Sequence, residues 1–277
     1  MPVSITASVG ERGENRPDDV RQIFLLLNKN RTPPLVVSDQ CSIELIQAIK
    51  EFQKDFLTNP DGRIDVGGRT WKELTESNEV HENEKKVLLS FDDGPLPEDA
   101  LNSILATLQS HHIKAEFYVL GAEVDRHPKA AKKIADQGHS LQNHSYSHID
   151  LSKASKEVVM TELRKTQESI KNAAGVTATK VRPPYGAGGW PAHHDPELAQ
   201  VAASLSLKIE NWDIDTEDWK TPKGIGSTKL TMIKKQFTQQ QSKLLLNVLM
   251  HVQSETARDL ESFIAQLKRW GYSFAKP

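Results

Sequence analysis

The chain has 277 residues and a formal net charge of −2, long for one domain and comfortable for a small domain followed by a larger one. With a sequence pI near 6.6 and lysines and arginines spread rather than clustered, there is no electrostatic case for nucleic acid or an anionic membrane as partner. The one cysteine, Cys41, excludes an internal disulfide, and its neighbours Ser42, Ile43 and Glu44 carry no metal-ligand spacing, so it reads as a small, half-buried residue.

The chain opens on Met1-Pro2-Val3-Ser4-Ile5-Thr6, which lacks the basic region and apolar stretch of a secretory leader. No apolar run approaches the length of a membrane span. Val20, Ile23, Phe24 and Leu27 recur at helical spacing behind Pro17-Asp18-Asp19, which predicts a helix starting there. A second amphipathic helix is predicted from about Ser42, with Ile43, Ile46, Ala48, Ile49 and Phe52 on or near one face. Asn59-Pro60-Asp61-Gly62 is a turn signal, and a short third helix is predicted from Thr70, carrying Trp71 and Leu74. Together these make a small three-helix bundle over residues 1–78. Residues 79–86 belong to a charged stretch without periodicity, which suits a linker.

From residue 87 the pattern changes to alternating strand and helix. Val87-Leu88-Leu89-Ser90-Phe91 reads as a buried strand, and Leu101, Ile104, Leu105 and Leu108 as a helix stripe. The strand Ala115 to Val119 follows, then a helix opened by His127-Pro128 and stopped by Gly138. Residues 138–143 read as another short strand. Ser155 is a candidate cap for a long helix with Val159, Leu163 and Ile170 facing inward, ending at Gly175. Lys180-Val181 and Ile209 to Ile214 are strand-like. Leu245 to Val252 is a buried strand, and Leu260, Phe263, Ile264 and Leu267 form the face of a last helix before Tyr272-Ser273-Phe274. Repeated βα units over 87–277 predict an α/β fold, a mainly parallel sheet or barrel with its active site at the carboxyl ends of the strands.

Polar residues stand at those ends with unusual regularity. The first strand runs into Asp92-Asp93-Gly94-Pro95. Two adjacent carboxylates repel, and one is protonated at neutral pH unless a cation sits beside them. His144-Ser145-Tyr146-Ser147-His148 supplies candidate ligands, since two imidazoles at i and i+4 on a helical turn point the same way. Two histidines and one aspartate leave metal positions open, as a catalytic site requires. Arg182-Pro183-Pro184-Tyr185, Asp215-Thr216-Glu217-Asp218-Trp219 and Leu249-Met250-His251 close three further strands. Each piece alone has a bland reading: a solvated turn, a chance surface pair, a proline-rich turn, an acidic loop around a packing Trp, a satisfied core histidine.

As an ordered set they resemble the five motifs of the carbohydrate esterase family 4 polysaccharide deacetylases, with Phe117 to Gly121 and Gly138-His139 matching in between. The resemblance spans about 85–277 and implies a distorted (β/α) barrel that hydrolyses N-acetyl groups. It implies that Asp93, His144 and His148 hold a divalent ion, zinc first, with cobalt or another divalent ion as alternatives. Asp92 would be the general base, oriented by Arg182, and His251 the general acid, paired with Asp218. The backbone N–H of Tyr185 would stabilise the oxyanion, and Trp219 and Leu249 would wall the acetyl methyl. Ser90 stands where Thr is common in the family, and Val252 where an acid is frequent. The segment Gly186 to His194 is particular to this chain and reads as a solvent or substrate-groove loop rather than a second metal site at His193-His194.

The first segment resembles the three-helix type of peptidoglycan-binding domain over about 15–76, through Asp19-Val20, Leu26-Leu27-Asn28, Ala48-Ile49, Phe52-Gln53, Pro60 to Asp65 and Thr70 to Leu74. Phe24 stands where that family usually has Gln. This implies peptidoglycan, or a related N-acetylated glycan, as partner and the cell wall (periplasmic or extracellular) as the place of action. A wall enzyme needs export, so either a leader lies outside this sequence or a specialised secretion route delivers the protein. Competing readings are a chitooligosaccharide or acetyl-xylan deacetylase, an ester hydrolase, a non-haem iron oxygenase built on the same two-His-one-carboxylate set, and a catalytically silent wall-binding protein. Acetate release with zinc separates the hydrolases from the last two.

Overall fold

The computed structural model describes residues 4–29, 31, 33–75 and 84–277. The chain divides into two compact units, Met1–Glu84 and Lys85–Pro277. Of the expected linker, residues 79–83 lie outside the described residues, as do positions 76–78 of the expected bundle and the first three residues of the chain.

In the first unit β1 (Val9–Gly10) precedes α1 (Pro17–Asn28) and α2 (Ile43–Gln53). There follow β2 (Arg63–Ile64) and α3, helical over 69–75. Helix α1 starts on Pro17, whose missing N–H costs nothing in a first turn. The Ser42 hydroxyl caps α2 by accepting from the Leu45 N–H at 3.2 Å. Val20, Ile23, Phe24, Leu45, Ile49, Ile64 and Leu74 bury together. The buried Gln53 amide ties the unit: it donates to Asp61, the Arg63 carbonyl and Thr70, and accepts from the Gly62 N–H. The antiparallel β1–β2 pair has two residues per strand, too few to show a period in sequence.

The second unit opens with β3 (Lys86–Gly94), α4 (Glu98–Ser110), β4 (Glu116–Val119), α5 (Gly121–Arg126), α6 (Pro128–Asp136) and β5 (Ser140–Asn143). It continues through α7 (Lys156–Ala174), β6 (Lys180–Val181), the hairpin strands β7 (Gly189–Trp190) and β8 (His193–His194), and α8 (Pro196–Ser204). It ends with β9 (Lys208–Ile209), β10 (Ile214–Asp215), α9 (Ser227–Gln239), β11 (Leu245–His251), α10 (Ser254–Arg269) and β12 (Ser273–Phe274). Eight strands form a parallel sheet in the order β10-β11-β3-β4-β5-β6-β9, with β12 beside the start of β3. The sheet curls into a half-barrel, the predicted α/β architecture. Its two end strands, β9 and β10, share no ladder, so a seam stays open between them. The stretch Ile209 to Ile214, read as one strand, is in fact the connection across that seam, because it crosses from one end of the sheet to the other.

Strand alternation assigns the two faces. Val87, Leu89, Phe91, Phe117, Val119, Leu141, Val181, Ile214, Val248 and Met250 join the apolar layer under the helices. Their neighbours Ser90, Asp92, Glu116, Tyr118, Gln142, Arg182 and Asn247 take the opposite, inner face and are polar. Gly175 ends α7 with a left-handed φ of 71°, as expected, but the Ser155 side chain makes no cap bond and hydrogen-bonds Glu157 instead. Among the described residues no helix is long and apolar enough to cross a membrane.

Candidate active site

The inner face is wired by Arg182, which is fully buried. A guanidinium has five N–H donors, and five acceptors meet it. Nη1 donates to Asp92 Oδ1 at 2.7 Å and Ser90 Oγ at 2.9 Å. Nη2 donates to Asn247 Oδ1 at 3.0 Å and the Asn211 carbonyl at 3.3 Å, and Nε to the Glu210 carbonyl at 3.2 Å. The cation also lies 4.0 Å from the centre of the Tyr118 ring. Asp92 is the one charged acceptor of the five, so its carboxylate is fixed from below at Oδ1.

Asp93 breaks the strand's alternation. Its φ of 64° is left-handed, a conformation a non-glycine residue keeps only where its surroundings hold it. This turns its carboxylate toward the same cavity as Asp92. His144 follows directly on β5, and its Nδ1 donates to the Arg182 carbonyl at 2.7 Å, since a carbonyl can only accept; Nε2 is left as the ligand atom. The pair His144 and His148 is not on a helical turn, contrary to the reading from its spacing. Residues 144–150 form an irregular loop with left-handed Ser145 and His148 (φ 67° and 60°). The Glu162 carboxylate holds that loop, accepting from the Tyr146 N–H, the Ser147 N–H and the Ser147 hydroxyl at 2.7–2.8 Å.

Asp93 Oδ1 lies 3.4 Å from His144 Nε2 and 3.2 Å from His148 Nε2. Ligand atoms of these three residues all lie within 4.8 Å of one another, the one group among the described residues able to hold a metal. Asp93 Oδ1 is buried without a hydrogen bond of good geometry, so an acceptor stands unsatisfied where two imidazole nitrogens converge. That donor set fits one divalent ion with open positions. Burial pushes the Asp93 carboxyl up, but the two imidazoles outweigh it and hold it well below the usual carboxylate range.

His251 is the register partner of Asp92 on the neighbouring strand. Its Nδ1 donates to Asp218 Oδ1 at 2.7 Å. The other Asp218 oxygen accepts from the His251 N–H and the Thr256 hydroxyl. Burial alone would lower the His251 pKa, but the Asp218 carboxylate, aided by Asp92 and Asp93, raises it to about 9.

Asp92, Asp93, His144, His148, Tyr185, Trp219, Leu249 and His251 line one cavity of about 440 Å³, with Arg182 and Asp218 behind the base and acid candidates. Tyr185 has a φ of 63° and sets its exposed ring 4.8 Å from that of His148. Trp212, which was not singled out in sequence, also lines the cavity, as does Asp215, which heads the acidic motif but was assigned no role there. Burial raises the Asp215 carboxyl. Its signal was its place as the last residue of a strand, three residues before Asp218. Asn247 and Glu162 left no local signal, because each acts on a distant segment. His193 and His194 lie apart from this cluster, exposed on β8.

The profile of the polysaccharide deacetylase family matches residues 79–209. The peptidoglycan-N-acetylglucosamine deacetylase PgdA of Listeria monocytogenes is 35% identical over 197 residues, which covers 69% of this chain and 37% of that protein. The chain thus spans little more than a third of that relative's length. The peptidoglycan deacetylase PdaC of Bacillus subtilis superposes with a TM-score of 0.57 at 30% identity, covering 70% of this chain and 88% of that one. A carbohydrate esterase family 4 pseudoenzyme from Bacillus anthracis gives 0.59 at 27% identity, over 70% of this chain and 64% of that one. By sequence and by fold, the chain belongs to the polysaccharide deacetylase family, carbohydrate esterase family 4.

Proposed function

We propose that the chain is a metal-dependent hydrolase that removes N-acetyl groups from an amino-sugar polymer, peptidoglycan foremost, and releases acetate. The observation that carries this reading is a single cavity holding both a three-residue cation site and two proton-transfer groups with separate supports. Asp93, His144 and His148 would hold one divalent ion, zinc first. When bound, it supplies Lewis acidity to the acetyl carbonyl and lowers the pKa of a water. Asp92, anchored through Oδ1, takes the water's proton at Oδ2. The backbone N–H of Tyr185 donates to the developing oxyanion, while Trp219 and Leu249 enclose the acetyl methyl. His251, kept cationic by Asp218, gives its Nε2 proton to the leaving nitrogen. The C–N bond breaks, leaving acetate and a free amine.

Likeness to a pseudoenzyme raises the alternative of a silent wall-binding protein, but here each position the family uses is filled. The N-terminal segment 1–78, within the first unit, would bind the wall and raise the local concentration of a weakly held polymer, and the protein would act at the cell wall. Mass spectrometry of peptidoglycan and chitin-oligomer products, with and without zinc, tests the reaction. No loss of acetyl from any of these at saturating zinc would refute it. Failure of the full chain to enrich on insoluble peptidoglycan over a control would refute the role of the first unit.

A further inference from the structure

Beneath the catalytic cavity, on the inner face of the sheet, lies a set of charged groups that the proposed reaction does not use. Glu116, at the start of β4, is fully buried. Three donors converge on its carboxylate. Lys180 Nζ meets Oε1 at 2.6 Å, while the Tyr118 hydroxyl and Asn247 Nδ2 meet Oε2 at 3.1 and 3.3 Å. Asn247 carries the contact onward, because its Oδ1 accepts from Ser90 Oγ at 2.7 Å and from Arg182 Nη2 at 3.0 Å.

An asparagine amide has the same shape either way round, so its neighbours decide which end is oxygen. On one side of Asn247 a guanidinium offers donors alone, and on the other a carboxylate offers acceptors alone. Both are satisfied only with the NH₂ toward Glu116 and the oxygen toward Arg182. The reverse sets donor against donor and acceptor against acceptor in the interior, where unpaired polar groups are costly. The guanidinium is planar and rigid, so holding Nη2 on Asn247 also aims Nη1 at Asp92 Oδ1, 2.7 Å away. Charge and polarity thus alternate along one buried line, from Lys180 through Glu116, Asn247 and Arg182 to Asp92.

We infer that Glu116 is a positioning residue for the deacetylase site: by fixing the sense of the Asn247 amide, it holds Arg182 in the orientation that anchors Asp92. This rests on the deacetylase reading and extends the machinery to a carboxylate that lines no part of the catalytic cavity.

Glu116→Gln keeps the shape but presents an NH₂ to Asn247, because the new amide oxygen goes to the Lys180 ammonium. Asn247 then turns, and donor faces donor at Arg182. Misplacing catalytic groups by about 1 Å can cost about 100-fold in rate. With the Asp92 contact loosened rather than lost, kcat for acetate release from N-acetylglucosamine oligomers by the zinc-loaded full chain should fall about tenfold. KM and zinc affinity should be unchanged. Glu116→Gln/Asn247→Asp should recover most of that loss, since a carboxylate at 247 accepts on both sides and needs no orienting. A role in stability alone would leave the two variants equal, as both lose the Lys180–Glu116 ion pair. Parental kcat in Glu116→Gln, or a double variant no faster than the single one, would overturn the inference. Asn247→Leu removes the link while keeping that ion pair, and so guards against misfolding of the first variant. Its kcat should fall by a similar factor, and a parental value would equally overturn the inference. Hydrogen exchange in protein labelled with ¹⁵N-arginine reads the orientation apart from turnover. The Arg182 Nη hydrogens should exchange about tenfold faster in Glu116→Gln than in the parent and slow again in the double variant; unchanged exchange would count against the inference. That exchange pattern, in a protein whose parent releases no acetate, would refute the reaction and leave the hold of Glu116 on Arg182 standing.

Discussion

Replacing Asp92 by Asn separates the roles of the two adjacent aspartates. The substitution keeps shape and leaves an amide oxygen for Arg182 Nη1, 2.7 Å from the present Oδ1, but removes the proton acceptor. Loss of a general base costs about 10²–10⁴ in rate, or about 3–5 kcal/mol of transition-state stabilisation. Structure suffers separately, because Arg182 loses the one charged acceptor among its five. Breaking a buried ion pair costs about 3–5 kcal/mol; with the hydrogen-bond geometry retained, about 3 kcal/mol is expected. In a unit of this size that lowers Tm by about 6–12 °C. Zinc should still bind, since Asp93, His144 and His148 are untouched. The assay is acetate release at saturating zinc, with metal content and a melting curve on the same protein. Turnover within about tenfold of the parent, at full zinc occupancy, would refute Asp92 as base. Loss of zinc would show that the two aspartates do not divide their labour.

His144→Ala should remove both zinc and activity, with a fall in affinity larger than the roughly 10–100-fold typical of losing an outer partner, measured by chelator competition. Glu162→Ala touches no ligand but frees the loop carrying His148; zinc affinity should fall about 10–100-fold, with kcat recovering at high zinc. The folded pKa of His251, about 9, lies above the ordinary 6.5. The stability this pair contributes is therefore complete below pH 6.5 and lost as pH rises through 9. Melting curves of metal-free protein across that window should show about 3 kcal/mol of decline, absent in Asp218→Asn. The alkaline limb of kcat should move toward neutrality in the same variant, and an unmoved limb would argue against His251 as the acid.

Much of the second unit was legible in sequence because its strands are uninterrupted apolar runs and its long helices carry clean stripes. Val87 to Phe91, the Leu101 stripe and the Leu260 face gave β3, α4 and α10. Helices α5, α8 and α9 were not anticipated; α5 is short and α9 has only Ile233 and Phe237 as buried apolar anchors. The chemical groups were visible through their order along the chain, not through local pattern. The backbone that unites them was not. His144 and His148 are four apart, which suggests a helical turn, yet left-handed residues without any glycine and a carboxylate from α7 shape the loop. Asn247 and Trp212 became meaningful only once strand pairing and the seam gave them neighbours.

Strand β3 carries two messages in one frame. Val87, Leu89 and Phe91 face the helices while Ser90 and Asp92 face Arg182, so the phase that builds the core also aims the Asp92 carboxylate. Deleting or inserting one residue upstream would send Asp92 into the apolar layer and an aliphatic side chain into the cavity. Asp93, by contrast, owes its direction to a backbone turn, and the pairing of β3 with β4 shifts register between Phe91 and Gly94. Changes of chain length are thus barred before Asp92 and absorbed after Gly94. On this account the connections beyond the strands, where the β7–β8 hairpin stands, are the places that can take a change of length without moving Asp92.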